Sequence, residues 1–271
     1  MNDAPLRIID DDGRREPRYN LAVDEALART IGTGPTLRFW RNDRCVILGR
    51  FQVAEAEVDL VAAHRLGVPV YRRFTGGGAV YHDDGNLNVS LVAPRDHPLV
   101  GRRSDAGPQA LHGVVLEPLA VAVRSLGIPA AAAGRGLFVG DRKLGGVAAW
   151  VGGRAVLVHA TLLVDADLGA LERVLAGPGA PGNARWRLTK SERAPVTSLA
   201  RELDRATAPG APSARSDLRA IEDVVAAAFK AAAGDPAERP VLRDGLQAAE
   251  LAVAADLFWS RYGNDVWHAS G

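Results

Sequence analysis

The sequence predicts a mixed α and β fold ending in a short helical extension. Three observations lead there. Strand-like and helix-like periods alternate along residues 20–200, glycine and proline stops fall between them, and at 206–215 (ATAPGAPSAR) the composition shifts to Ala, Pro and Gly before two amphipathic segments. At 271 residues the protein has ample length for a sizeable core. With 47% apolar and 24% charged residues it matches an average soluble globule, which excludes wholesale disorder. A net charge of +1 provides no single-sign field for nucleic acid or anionic lipid, so neither is expected as a partner.

The elements follow in order. A helix is expected over 20–30 (NLAVDEALART), then short strands over 36–41 and 44–48. A second helix is expected from about Glu57 to Arg65, followed by a strand around VPVYRR that three glycines stop. Over 86–93, Leu87, Val89 and Leu91 alternate with Asn88 and Ser90, the two-residue period of a strand. Leu111, Val115, Leu119, Ala122, Val123 and Leu126 recur at helical spacing, with Gly127 as the stop, so this helix should cover the sheet. KLGGVAAWV and AVLVHATLLV read as the arms of a hairpin turning at Gly152 and Gly153. Asp167 can cap a short helix over LGALERVLA, and Gly177 to Gly182 reads as a loop. Helices are expected near 217–232 and 242–262. This arrangement divides the protein into a main domain over 1–205, a linker over 206–215 and a helical extension over 216–271.

A single cysteine, Cys45, permits no intrachain disulfide and no thiolate-rich metal site. The first residues are too charged for a signal peptide and no segment has 18 uninterrupted apolar residues, so a soluble cytoplasmic protein is expected.

The most informative segment is Arg72 to Asn88, RRFTGGGAVYHDDGNLN. Adjacent glycines after a strand let the backbone take positive φ and bring N–H groups against an anion, and an arginine can grip a phosphate through two parallel hydrogen bonds. A glycine-rich turn beside two surface arginines would have the same letters, so the triglycine alone leaves both readings open. There is no GxxxxGK[ST], and the glycines do not fit GxGxxG, so the common nucleotide-binding motifs are excluded.

The flanking words narrow the choice. NDRCVILGRFQ, EVDL, GVPVYRRFTGGGAVYHDDGNLN, GDRKLGGVA and HATLLVD occur in that order, and RYGNDVW lies near the end. From about Asn20 to Leu199 the protein resembles lipoate-protein ligases of the biotin/lipoate ligase superfamily. The resemblance implies an α+β catalytic domain of the class II biotin/lipoate ligase-like kind, a mixed, largely antiparallel sheet packed with helices on one side; periodicity by itself does not select that topology. It implies ATP-dependent activation of lipoate, or octanoate, to an acyl-adenylate, with Mg2+ accompanying the ATP. The acyl group then passes to a lysine of a lipoyl-domain acceptor, a 2-oxoacid dehydrogenase E2 subunit or a glycine cleavage H protein. The acceptor supplies the nucleophile, so the enzyme needs only a charged, oriented cradle. Two helices after the linker are little for an accessory domain, so a separate accessory subunit is a further implied partner. A monomer is expected, with no resident metal.

By the same resemblance, Lys143 in GDRKLGG is the active-site lysine, its ammonium bridging carboxylate and α-phosphate oxygens. Arg72 contacts the adenylate phosphate, and Thr75 stands where many relatives have serine. Gly76, Gly77, Gly78, Ala79 and Val80 form the adenylate loop, while His82 and Asn86 fall on the HDxGN word and contact the nucleotide or acyl-adenylate. Gly145, Gly146 and Ala148 leave the neighbouring strand bare, and His159 stands in HATLL, where Ala160 replaces a more usual glycine. Gly49, Arg50 and Gln52 match a GRxQ word that lines the acyl pocket, with Val53 in place of the common asparagine. Plainer readings stand beside these: Lys143 as an exposed strand lysine, Gly145 and Gly146 as a β-bulge, His82 as a scaffold hydrogen-bond partner, Asp83 and Asp84 as a solvated turn.

The main rival is an octanoyl or lipoyl transferase working from acyl carrier protein, which needs a cysteine nucleophile. The stretch before Lys143, PAAAAGRGLFVGDRK, has no thiol, and Cys45 in the apolar CVILG is expected in the core. A biotin ligase would need a GRGRxGR-like loop, which is absent. A non-catalytic lipoyl-binding or accessory protein is the remaining alternative.

Overall fold

The computed structural model describes residues 4–10, 12–176, 191–206, 218–233 and 241–269. β1 (Leu6–Ile9) is followed by α1 (Pro17–Arg29), which starts where Glu16 accepts a hydrogen bond from Arg18 N and Pro17 fills the first helical position. Next come β2 (Thr36–Trp40) and β3 (Cys45–Leu48). The helix expected from Glu57 to Arg65 is two short ones, α2 (Ala54–Glu57) and α3 (Leu60–Arg65). Val58 is extended between them, and Asp59 restarts the helix by accepting from Ala62 N.

β4 (Val70–Arg72), β5 (Val80–His82) and β6 (Asn86–Pro94) bracket the triglycine. α4 (His112–Ser125) follows two 3-10 turns, and β7 (Ala130–Ala133) and β8 (Gly136–Val139) lead into the expected hairpin of β9 (Arg142–Val151) and β10 (Ala155–Leu163). α5 (Leu168–Val174) begins at Asp167, whose carboxylate accepts from Ala170 N. α6 (Leu199–Ala206), α7 (Leu218–Ala232), β11 (Val241–Arg243), α8 (Ala248–Leu257), a π-helical turn (Phe258–Tyr262) and α9 (Asp265–Ala269) complete the described elements. The expected loop over 177–182 lies outside the described residues, as does the linker beyond Ala206.

The main sheet runs β11-β1-β2-β6-β10-β9-β8-β7. β1 is parallel to both β11 and β2, and every pairing from β2 to β7 is antiparallel. The fold is thus the mixed, largely antiparallel sheet packed with helices that the resemblance implied. β3 sits between β4 and β5 in a second, three-stranded sheet.

Helices cover both faces of the main sheet, where one had been expected. α4 and α7 pack on the face that carries Leu87, Val89 and Leu91. α1 and α8 pack on the other, around Val92 and Leu157. The consequence falls on β6, buried along its whole length. Its polar face, Asn88 and Ser90, meets α1 rather than water: Ser90 Oγ accepts from Trp40 Nε1 at 2.9 Å and donates to Asp24 Oδ2 at 2.7 Å. The sequence also hides β11. Residues 242–262 were expected to be helical, but 241–243 form an edge strand, and α8 starts only at Ala248 behind a Gln247–Glu250 capping box. Glu250 pairs with Arg7 of β1, which ties this segment to the sheet.

Candidate active site

The triglycine bend joins β4 to β5. Gly77 takes φ +92°, and a Cβ placed on Gly49 would stand 2.1 Å from Gly77 O, so the end of β3 presses directly on the bend. Successive strand side chains point to opposite faces, and this separates the two arginines. Arg72 is fully buried and faces away from the cavities. Its guanidinium donates to Gly49 O at 3.0 Å, Gln52 O at 2.6 Å and His268 O at 3.2 Å, and its backbone N donates to His268 Nδ1 at 3.0 Å. The expectation for Arg72 is therefore corrected: it braces the LGRFQ loop and α9, and its donors are taken up by carbonyls.

Arg73 is the arginine on the cavity wall. It donates from Nη2 to Gly76 O at 2.6 Å and Gly78 O at 2.9 Å, and from Nε to Thr75 Oγ1 at 2.9 Å. No carboxylate pairs with it among the described residues, and burial lowers its pKa to about 10. A buried guanidinium with no carboxylate partner among the described residues, on the wall of a cavity, suits an anion.

Two cavities meet here. The inner chamber, about 80 Å³, reaches Leu21, Trp40, Ile47, His82, Asn88 and Ala160. A wider recess of about 280 Å³ is lined by Tyr81, Leu163, Leu171 and Leu175. Ala79, Val80, Lys143 and Gly146 line both. Lys143 reaches this shared wall from β9, where the register against β8 shifts: Leu137 faces Gly145 and Phe138 faces Lys143, leaving Leu144 as the extra residue of a bulge. Gly145 is needed as well, because a Cβ there would stand 2.1 Å from Thr161 O of β10. Among the described residues Lys143 Nζ has no hydrogen bond or ion pair, and burial pulls its pKa below the usual lysine value.

A polar chain supports the bend from beneath. Thr75 Oγ1 lies 2.8 Å from His159 Nε2, and His159 Nδ1 lies 3.2 Å from Asp24 Oδ2. Arg38 Nη1 donates to Asp24 Oδ1 at 2.9 Å. Burial works against the Asp24 carboxylate, but the His159 bond and Arg38 outweigh it and hold its pKa below the ordinary value. Burial lowers the His159 pKa, so Nδ1–H donates to Asp24 and Nε2 accepts the Thr75 hydroxyl proton. His82, also buried, is pushed down to about 3, first by desolvation and then by Arg73.

Of the other expected positions, Gly78, Ala79, Val80, His82, Gly146, Ala148 and His159 line the inner chamber, and Gly145 lines the wider recess. Gly76 and Gly77 face an outer cleft of about 530 Å³ beyond the bend, with Arg29, Arg50, Phe51 and Arg261. The residues of LGRFQ, expected at an acyl pocket, line neither the inner chamber nor the wider recess. Gly49 abuts the bend, Arg50 faces the outer cleft, and Gln52 is buried, accepting from Gly49 N and donating to Ser191 Oγ at 3.1 Å. Asn86 is buried and donates to Tyr81 O, holding the turn from outside these cavities. Asp83 accepts from Gly85 N and Asp167 N, and Asp84 pairs with Arg15. Arg73 and Ser191 were missed. Strand alternation could have separated Arg73 from Arg72, but no local signal marks Ser191, whose Oγ accepts from Ala79 N at 2.9 Å and which lines both cavities.

The family described as Lipoyl protein ligase A/B catalytic domain matches residues 16–230. Lipoate-protein ligase A subunit 1 of Thermoplasma acidophilum is 37% identical over 193 residues, covering 69% of this protein and 72% of the relative. Octanoyltransferase LipM of Moorella thermoacetica is 34% identical, covering 62% and 68%. A putative lipoate protein ligase from T. acidophilum with bound lipoic acid superposes with a TM-score of 0.74 at 27% identity, covering 99% of this protein and all of the other. A bipartite lipoate protein ligase, studied with its E2 lipoyl domain from the same organism, gives 0.76 at 30%, covering 99% and 96%. A lipoate-protein ligase A bound with ATP gives 0.73 at 28%, covering 99% of each. With Lys143, Arg73 and Gly78 lining one chamber, the protein belongs to the lipoyl protein ligase A/B catalytic-domain family and is a ligase of the biotin/lipoate superfamily.

Proposed function

We propose that the protein activates lipoate, or octanoate, with MgATP to an acyl-adenylate and passes the acyl group to a lysine of a lipoyl-domain protein. The observation that carries this reading is that Lys143, Arg73 and Gly78 of the bend line one inner chamber, while Lys143 also lines the wider recess beside it. A mixed anhydride has the same shape, with an alkyl chain on one side, a nucleoside on the other and a charged junction between. We assign the acyl chain to the chamber ending at Leu21, Trp40 and Ile47, and the adenosine to the recess beside Tyr81, Leu163 and Leu171.

In the first step a carboxylate oxygen attacks the α-phosphorus and pyrophosphate leaves. Negative charge moves from carboxylate to the phosphoryl oxygens, and the Lys143 ammonium and the Arg73 guanidinium stay in place to meet it. In the second step the acceptor's lysine amine attacks the acyl carbonyl, and AMP leaves with the bonding electron pair. The acceptors on this reading are lipoyl domains of E2 subunits or H protein. An accessory subunit completes the enzyme, a proposal supported by the bipartite archaeal relative. No helix among the described residues is long and apolar enough to cross a membrane, and we place the reaction in the cytoplasm.

The relationship to LipM keeps a transferase reading in view. Against it, the sole thiol, Cys45, is fully buried in β3, and desolvation pushes its pKa far up, the opposite of an activated nucleophile. Incubating the protein with ATP, lipoate and an apo lipoyl domain, and separately with octanoyl carrier protein without ATP, decides between them. Acceptor modification in the first mixture with release of pyrophosphate is expected. Modification only in the second reverses the choice, and activity that returns only with a second protein identifies the accessory subunit.

A further inference from the structure

Two buried nitrogens, on residues that line the inner chamber, have no acceptor among the described residues. They are His82 Nε2 and Asn88 Nδ2, on residues 3% and 1% exposed. The hydrogen-bond chain behind His82 fixes its tautomer. Asn20 Nδ2 donates to Asn42 Oδ1 at 3.0 Å, which leaves Asn42 Nδ2 to donate to His82 Nδ1 at 3.0 Å. Nδ1 is an acceptor, burial keeps the ring neutral, and the ring proton therefore sits on Nε2. Both unpartnered groups are N–H donors. An unmade donor in a buried site is destabilising, so two in one chamber call for a ligand that supplies acceptors.

Their position identifies the part of the ligand. Asn88 on β6 is registered with Thr161 on β10, and Thr161 Oγ1 accepts from Gly146 N of β9 at 3.2 Å. A Cβ on Gly146 would stand 3.9 Å from Lys143 Nζ. Asn88 is thus two strands, roughly 10 Å at ordinary strand spacing, from the column where the ammonium arrives. That distance suits an acyl chain with its carboxylate at Lys143 and its far end at Asn88. His82 reaches the same end, its ring packed edge-on against Trp40 with centroids 5.9 Å apart.

We propose that His82 and Asn88 are specificity-determining residues for the distal end of the acyl chain, favouring a chain whose far end carries lone-pair acceptors, as the sulfurs of a dithiolane do, over a methyl-terminated chain of similar length. The proposal rests on the acyl-activation reading above. Sulfur accepts hydrogen bonds weakly, but a methyl terminus accepts none and leaves both donors unmade. Sites discriminate best when the competitor leaves their own buried polar groups unpaired.

The test compares kcat/KM for ATP–pyrophosphate exchange with lipoate and with octanoate in wild type, Asn88→Leu and His82→Asn. The histidine variant retains an acceptor for Asn42 and takes the donor away from the ε position, its own amide N–H groups standing at the δ position nearer the backbone. Wild type should favour lipoate by at least about tenfold, and each variant should lower the ratio about three- to tenfold, mainly by gaining activity on octanoate. A wild-type ratio near one, or an unchanged ratio in variants that melt like wild type, overturns the proposal. Where a variant does not fold, calorimetric binding of the two acids to wild type without ATP decides, and equal affinity overturns it. Exchange with neither acid refutes the activation reading instead, and the calorimetric comparison still judges the chamber.

Discussion

Replacing Gly77 with alanine tests the bend most directly. At φ +92° an L side chain is strained by about 1–2 kcal/mol, and the new Cβ would stand 2.9 Å from Arg73 Nη2 and 3.0 Å from Ala148 Cβ. Ala148 belongs to β9 and is registered with His159 of β10, so the guanidinium is the group that moves. Its Nη2 bonds to Gly76 O and Gly78 O stretch or break, and a bond to a charged group contributes about 1.5–3 kcal/mol. The expected loss of stability is about 2–4 kcal/mol, with a thermal midpoint lower by several degrees. ATP–pyrophosphate exchange should fall more than about tenfold, because the same movement opens the anion wall. Gly67→Ala is the control. At φ +62° it carries comparable backbone strain, but nothing lies within 4 Å of its Cβ, so stability should fall by about 1–2 kcal/mol with exchange per folded molecule unchanged. Exchange at the wild-type rate in Gly77→Ala, or an equal loss in Gly67→Ala, would refute the cradle.

Other expectations follow from the same geometry. Lys143→Ala should slow adenylate formation at least about tenfold while the fold survives, since Nζ makes no hydrogen bond or ion pair among the described residues and meets only the Phe138 ring, 6.0 Å from its centroid; pyrophosphate release at the wild-type rate would remove the lysine from the mechanism. Cys45→Ser buries a hydroxyl in a largely apolar cluster beside Asn42 and should cost about 1–3 kcal/mol of stability, yet ligation per folded molecule should persist; loss of acyl transfer without unfolding would restore the thioester route. Because the folded pKa of His82 lies near 3, below the unfolded value of about 6.5, its contribution to stability is complete above pH 6.5. That contribution declines as pH falls toward 3, by about 1.4 kcal/mol per pH unit. In denaturant titrations between pH 6.5 and 4, His82→Asn should lose that part of the slope; identical slopes would refute the buried neutral imidazole.

What was legible in the sequence divides along a physical line. The β9–β10 hairpin, the Asp167 cap and the apolar stripe of α4 are local, because a two-residue period, a side chain accepting from its own backbone three residues on, and a helical spacing are visible within a window. β11 was not legible because three residues of a parallel edge strand draw their partners from β1, more than two hundred residues away, and no turn signal announces such a pairing. The site shows the same division. Residues 76–78 announced a bend, and alternation required Arg72 and Arg73 to face opposite sides. Which of them faces the cavity depends on how β4 pairs with β3 and where α9 docks, and those contacts enclose Arg72. The aim of Lys143 is likewise a tertiary fact. Its neighbours Gly145 and Gly146 read equally as bare surface or as a bulge, and the structure uses both: the bulge at Leu144 turns the lysine, and the missing Cβ of Gly145 lets β10 come close enough to form the floor beneath it.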